Sequence, residues 1–383
     1  MRSYTLKERD YDVIVYGAGP EGVAAALAAS ERSDSVLLAD ECADVGGAAV
    51  CGLMSWWRGE AESALMEHVR KLTRRAWGKS IFEPEEISQE FRALLKKAGV
   101  DLMLGARPVK ARLKRERLKS LAFAVGGKRV KLTAWCFVDA SQDYALASLA
   151  DCPLDNEEGE TLIALLARIG GIDTRVPGVF DPEALRQFAG EFKTEQAVEE
   201  IPGQLPYPSL TPCTRGGTAV LNAAGPGVAM GAGPLARTAA ESRCREDALA
   251  AIGFLQRNVP GYENCFLIQF AGQPLYIQCP QPLRRKAESA SPETEESDVE
   301  SIAVLACRDA DAMDGSVSVP LGNLLCFGVE NLLLARMRSA GPDELPLLMA
   351  SGEAAGRAAA QAVLYDGYLS KAEPERMRRA LIV

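Results

Sequence analysis

The sequence predicts an α/β fold: a three-layer Rossmann-type domain built on a parallel sheet, with a small antiparallel sheet and an inserted α+β domain. Three observations carry this. A glycine-rich turn, Gly17 to Gly22, lies between an apolar strand and an Ala-rich helix. A second apolar strand follows that helix and ends on carboxylates. Near the C-terminus, after a long stretch of different composition, an apolar strand and a small-residue helix return.

Taken in order, Tyr11 to Tyr16 (YDVIVY) reads as a buried parallel strand with a charged lead before it and glycine after it. Glu21 to Ser30 is helical, and Ser35 to Ala39 (SVLLA) is a second buried strand. Strand, glycine turn, helix and strand form a βαβ unit, which requires parallel strands and a right-handed crossover. Residues 58–76 and 84–98 show helical periodicity with little Gly or Pro inside. From Arg107 to Leu132 short alternating segments take over, with Gly126-Gly127 as a tight-turn signal, so a small antiparallel sheet is expected there. The charged run Arg112 to Arg117 reads as a solvated hairpin. Trp135 to Val138 (WCFV) is again an apolar strand, ending at Asp139. Beyond Asp151, Pro and Gly recur, and Glu288 to Glu300 is acidic and Ser-rich, as a surface loop or short helix would be. Asn331 to Leu334 is a buried strand and Leu347 to Leu364 a small-residue helix. The expected division is a discontinuous domain, 1–150 and 321–383, with 151–320 inserted as a substrate or cap domain.

Composition excludes several classes. With 383 residues the chain can bury a sizeable core and hold two domains. Hydrophobic residues at 48% and charged residues at 25% are ordinary for a soluble protein. A net charge of −9 argues against a nucleic-acid surface. The charged N-terminal lead argues against a signal peptide. The uncharged stretch from Gly216 to Ala236 is too rich in Gly, Pro and Ala to favour a bilayer. Ten cysteines without C-x-x-C or finger spacing suggest reduced thiols in a cytoplasmic protein and no metal site.

Gly17-Ala18-Gly19-Pro20-Glu21-Gly22 is a dinucleotide loop in its full setting. Gly17 permits the sharp turn, Gly19 lets backbone approach a diphosphate, and Gly22 lets the helix pack on the sheet. The helix start supplies free N–H groups and the positive dipole end. Asp40, eighteen residues after Gly22, stands where a carboxylate accepts ribose hydroxyls, with Glu41 as its rival.

Five blocks then resemble the bacterial FAD-dependent oxidoreductase family of the glutathione-reductase-like flavoprotein superfamily. They are Asp12 to Leu53, with Val45-Gly46-Gly47 and Cys51-Gly52-Leu53; Phe137 to Asp143, similar to a strand ending D-A-T-G-D; Val259 to Asn264, similar to V-P-G-F-E-N; Gly328 to Ala335, similar to G-V-x-N-L-L-x-A; and Met349 to Gly356, similar to M-A-x-G-x-A-A-G. The resemblance implies an FAD/NAD(P)-binding fold, FAD as cofactor, and hydride transfer between the flavin and a small organic substrate. It also implies cofactor contacts from Gly46, Gly47, Ala48, Val109, Ala140, Ser141, Arg336, Ala350 and Gly352. The small residues of the last helix would let its N-terminus approach the flavin pyrimidine.

Two departures stand out. Gln142 replaces a glycine, and the connection after Arg336 is shorter than the family's, which points to an altered substrate or to weakened catalysis. Gly225 to Gly231 has irregular spacing and a proline, and reads as a substrate-domain loop rather than a second dinucleotide site. For the reaction itself, Cys51 is a candidate redox-active thiol or flavin attachment point, against the plainer reading of a small buried thiol. Arg284 and Arg285 resemble the family's S-R-R strand and are candidates for holding a substrate carboxylate, against a solvated basic patch. His68 reads as a surface or partly packed residue of a charged helix, and Trp56 and Trp57 as core and rim. Two alternatives stay open: an FAD-binding module with reduced catalysis that acts in binding or redox sensing, and an NAD(P)H-dependent flavin reductase.

Overall fold

Side-chain alternation along strand β1 (Asp10–Tyr16) sets the layers. Val13 and Val15 join one buried cluster and Ile14 and Tyr16 the other. The structure is a computed structural model, which describes residues 10–59, 61, 63–76, 79–153, 160–196, 209–224, 228–229, 234–278, 301–307, 315–320, 324–336 and 344–368.

The main sheet has seven strands. Its parallel part comprises β6 (Asp101–Leu104), β2 (Val36–Asp40), β1, β9 (Lys128–Asp139) and β18 (Leu332–Leu334). The long strand β9 belongs to two structures at once. Its C-terminal half pairs in parallel with β1, and its N-terminal half continues antiparallel into β8 (Leu118–Val125) and β7 (Arg107–Leu113). Gly126 and Gly127, both at positive φ, close the β8–β9 hairpin between Val125 and Lys128, as the two-glycine signal predicts.

Helices α1 (Pro20–Ser30), α4 (Pro84–Lys97) and α8 (Leu345–Val363) cover one face. The antiparallel ribbon and α5 (Ala145–Leu149) cover the other, where Tyr16 packs on Phe123 with ring centroids 6.1 Å apart. These are the three layers expected. The glycines of α8 explain its intimacy with α1: a methyl on Gly352 or Gly356 would overlap the backbone of Glu21 or Ala25.

A second sheet, antiparallel, is organised around β10 (Glu160–Gly170). It pairs with β12 (Ala219–Ala224), β13 (Val228–Ala229), β14 (Phe266–Phe270) and β15 (Leu275–Gln278), while β11 (Ser209–Pro212) flanks β12. Helices α6 (Pro182–Gln196) and α7 (Pro234–Asn258) pack Phe188, Phe192, Phe254 and Leu255 against it. Elsewhere Ile163 and Leu165 of β10 share a buried cluster with Leu53, Met54, Trp56 and Ile81. That contact docks the antiparallel sheet beside the parallel one. A hairpin of β16 (Ser301–Cys307) and β17 (Gly315–Pro320) follows.

Three local readings change. The helix expected over 58–76 is shorter, α3 (Ala64–Leu72), started by Ser63 Oγ accepting the Met66 N–H at 3.0 Å. It is bounded by β3 (Trp56–Trp57) and β4 (Arg74–Ala76), which pair on either side of β5 (Lys79–Ile81). Arg117 is no solvated hairpin residue: it is buried, lies 3.9 Å from the Tyr368 ring centroid and donates to the Asp366 carbonyl. Asn331 uses its side chain rather than a strand position, bonding both backbone groups of Leu118 at 2.9 Å and the Trp135 carbonyl at 2.8 Å. The acidic segment Glu288 to Glu300 lies outside the described residues.

Candidate functional site

The site starts at the end of β1. Gly17 turns the chain at φ +103°, and a methyl there would strike the Ala140 carbonyl; one on Gly22 would overlap the Gly17 carbonyl oxygen. Helix α1 therefore begins hard against the ends of β1 and β9, with Gly19 as its N-cap and no side-chain capping bond there. Gly47 crosses this loop so closely that a methyl on it would stand 2.7 Å from Gly19 Cα.

Carboxylates surround the loop. Asp40, ending β2, accepts the Ala18 N–H on one oxygen and the Cys42 N–H, at 2.7 Å, on the other. Burial raises its pKa, and those two amides oppose the shift. Glu41 is more open, with Arg107 4.0 Å away; burial and then Asp143 raise its pKa. Asp139, at the end of β9, accepts bonds from Ser141 N (3.1 Å), Ser141 Oγ (2.6 Å) and Ala147 N (2.9 Å), which fixes the turn into α5. Burial nevertheless pushes its pKa up to about 6.

A cavity of 720 Å³ opens over this loop. Gly17, Gly19, Glu21, Asp40, Gly47, Ala48, Ala140 and Ser141 line one side of it. Arg237 and Glu241 of α7, Gln269 and Phe270 of β14, and Gln273 and Tyr276 at or before β15 line the other. Gln142, at the position of the missing glycine, joins the two sides: its Oε1 accepts the Tyr276 N–H at 3.2 Å. The Arg237 guanidinium lies 5.1 Å from the Tyr276 ring centroid and 3.4 Å from Glu241. The Tyr276 hydroxyl is buried, with no hydrogen-bond partner among the described residues. Its pKa is raised by burial and next by Asp143.

Cys51 lies on the cavity wall, half-buried, with Cys42 as its neighbour. A hydrogen bond from Cys42 lowers the Cys51 pKa, while Cys42 itself is raised by the same pairing and by burial. Cys42 Sγ also donates to Gln273 Oε1 at 2.6 Å, and one S–H serves only one of these acceptors at a time.

Of the residues picked from the sequence, Gly17, Gly19, Glu21, Asp40, Glu41, Gly47, Ala48, Cys51, Ala140, Ser141 and Arg336 meet in this cavity. Ala18, Pro20, Gly22 and Gly46 belong to the same turns without lining it. Val109 lies in the ribbon strand β7, and Ala350 and Gly352 are buried in α8, Gly352 against α1; Leu348 is the α8 residue on the wall. Arg284 and Arg285 lie outside the described residues. His68 bonds Glu90 at 2.7 Å between α3 and α4, away from the cavity. Sequence reasoning missed Arg237, Gln273 and Tyr276. No local motif marks them, because only the pairing of β10 with β15 and the packing of α7 bring them to the glycine loop.

A glycine turn ending a parallel strand, a helix N-terminus without a capping side chain, and a carboxylate at the end of the next strand define a dinucleotide-binding protein. The chain belongs to the FAD dependent oxidoreductase family, which matches residues 12–277. Its cofactor is FAD. Among solved structures it is similar to a geranylgeranyl bacteriochlorophyll reductase-like protein from Thermoplasma acidophilum, with 14% identity, a TM-score of 0.52, and coverage of 97% of this chain and 82% of the other. It is also similar to a triple mutant of the flavin-dependent brominase Bmp2, with 12% identity, a TM-score of 0.50, and coverage of 96% and 84%. At these identities the likeness is one of fold. No curated protein matches the sequence. Among the described residues no helix is long and apolar enough to cross a membrane, and no cluster of His, Cys, Asp and Glu suits a metal ion.

The cavity fits FAD in one further respect. Gly17 and Gly47, packed against neighbouring backbone, present main chain on one wall, which is what a diphosphate needs for close approach. Arg336 is buried on the same wall.

Proposed function

We propose that the chain is a cytoplasmic oxidoreductase in which the glycine loop holds the FAD diphosphate and the opposite wall receives a small organic substrate for hydride exchange with flavin N5. One observation carries this reading: a single cavity is continuous from the glycine loop to Arg237, Gln273 and Tyr276 of the antiparallel unit. The same continuity supports the division into a cofactor domain (1–150 and 321–383) and a substrate domain (151–320).

When bound, FAD supplies the two-electron chemistry. Gly17 and Gly19 bring backbone to the diphosphate, Arg336 offsets its charge, and Asp40 or Glu41 takes the ribose hydroxyls. Ser141, Gln142 and the Asp139-fixed turn shape the floor. Gln273, Phe270 and Tyr276 shield the reacting centre from water, while Arg237 orients a polar group of the substrate. Arg284 and Arg285 remain candidates for a substrate carboxylate, and Cys51 for a redox-active or flavin-attached thiol.

A second dinucleotide site is disfavoured by β12. This strand precedes Gly225 to Gly231 but runs antiparallel between β10 and β11, whereas a phosphate loop for NAD(P) follows a parallel strand. The glycines themselves lie outside the described residues.

The test is an absorbance spectrum of protein loaded with FAD and desalted, followed by anaerobic mixing with amine, alcohol and alkene donors. Retained yellow colour that bleaches with one donor class is expected. Colour that no donor, NADH or NADPH bleaches would favour a binding or sensing module. Colour that stays in an acid pellet would direct attention to Cys51.

A further inference from the structure

The phosphate loop carries an acidic residue where an anion is due to bind. Glu21, the fifth residue of the loop, is only 3% exposed, yet it lines the cavity. Its carboxylate accepts its own backbone N–H at the start of α1. Its Oε2 lies 2.8 Å from the place a methyl on Gly19 would take, against the bare face of that glycine. The charged groups facing it from the surrounding elements are Arg336, after β18, and Asp40, at the end of β2; α8 meets it through Gly352. Burial is the main influence raising its pKa, and Arg336 is the main influence opposing it.

The seat is therefore already taken by a charge of the same sign as the expected ligand. A diphosphate seeks the same helix amides and the same guanidinium. Two anions cannot share them in a buried site without large repulsion.

We propose that Glu21 is a resident anion in the diphosphate seat, and that FAD binding displaces its carboxylate from the α1 amide and Arg336 with uptake of one proton. This rests on the reading that the glycine loop holds the diphosphate. The sign follows from linkage. Glu21 binds its proton more tightly with FAD present than without, so affinity is constant at low pH and weakens as pH rises above the pKa of the free protein. The limit for one proton is about tenfold in Kd per pH unit.

The experiment titrates FAD into flavin-free protein by flavin fluorescence from about pH 5.5 to 8.5, with calorimetry in two buffers of different ionisation enthalpy. Wild type is expected to take up about one proton per FAD at the alkaline end, where Kd climbs by up to tenfold per unit. Glu21→Gln is expected to bind at least tenfold more tightly there, with a flat profile and no proton uptake. A flat wild-type profile without proton uptake overturns the proposal and needs no variant. Proton uptake that persists in Glu21→Gln also overturns it and transfers the effect to another group such as Asp40. Folded protein that binds no FAD at any pH overturns the glycine-loop reading itself, an outcome distinct from pH-independent binding.

Discussion

Along the floor of the cavity the contact surface is main chain, at Gly17, Gly19 and Gly47, whereas along its roof it is side chain, at Arg237, Gln273 and Tyr276. At Gly17 and Gly47 the floor has no room for an added atom, because each abuts another piece of backbone, while Gly19 faces the Glu21 carboxylate. The roof is held by a few polar contacts across two units, and the Tyr276 hydroxyl has no hydrogen-bond partner among the described residues. The same cavity thus joins a wall of close-packed main chain to a wall of side chains.

The sharpest way to break the comparison is Gly22→Ala. Its methyl would overlap the Gly17 carbonyl oxygen, so α1 must move off the sheet. A loss of about 3 kcal/mol or more and of FAD retention is expected in denaturant titrations and desalting assays. Wild-type stability with retained flavin would show that the floor yields as the roof does.

A smaller effect comes from Asp139, whose folded pKa of about 6 lies above the ordinary 3.8. A raised folded pKa stabilises fully below the unfolded value, and that stability is lost as pH rises through the folded value. Between pH 4 and 6 the wild type is expected to lose up to about 3 kcal/mol relative to Asp139→Asn, read from denaturant midpoints at each pH. Parallel curves for the two proteins would sink this.

At the roof the smallest effect is expected. Tyr276→Phe removes a hydroxyl that bonds nothing among the described residues, so stability should stay within about 0.5 kcal/mol while FAD still binds. Any change belongs in the KM of whichever donor bleaches the flavin. A large loss of FAD binding would place the cofactor against the roof as well.

The same contrast explains how much was legible in the sequence. The floor was readable because a glycine loop, its strand and its helix are contiguous: the turn at Gly17, the helix from Pro20 and the carboxylate at Asp40 fall within one βαβ unit. The β8–β9 hairpin was readable for the same reason, since Gly126-Gly127 dictates a local turn. The roof was not. Tyr276 reaches the cavity only because β15 pairs with β10, more than a hundred residues earlier, and nothing near Tyr276 encodes that pairing. Glu21 was read as part of a phosphate loop, and the position of its carboxylate against Gly19 emerged only from the fold. The short helix α3 failed for another reason: β3 and β4 are claimed by pairing with β5, which overrides local periodicity.

The packing of α8 on α1 has a bearing on biosynthesis. Helix α1 is buried on nearly all its residues, from Pro20 to Ala29, yet the helix that covers it begins only at Leu345. A nascent chain therefore displays this Ala-rich surface until some three hundred further residues have been made. Contacts of such sequence separation form slowly. A chain ending before Leu345 would leave the α1 face exposed and prone to association, so the last helix acts as the clasp that closes over the first.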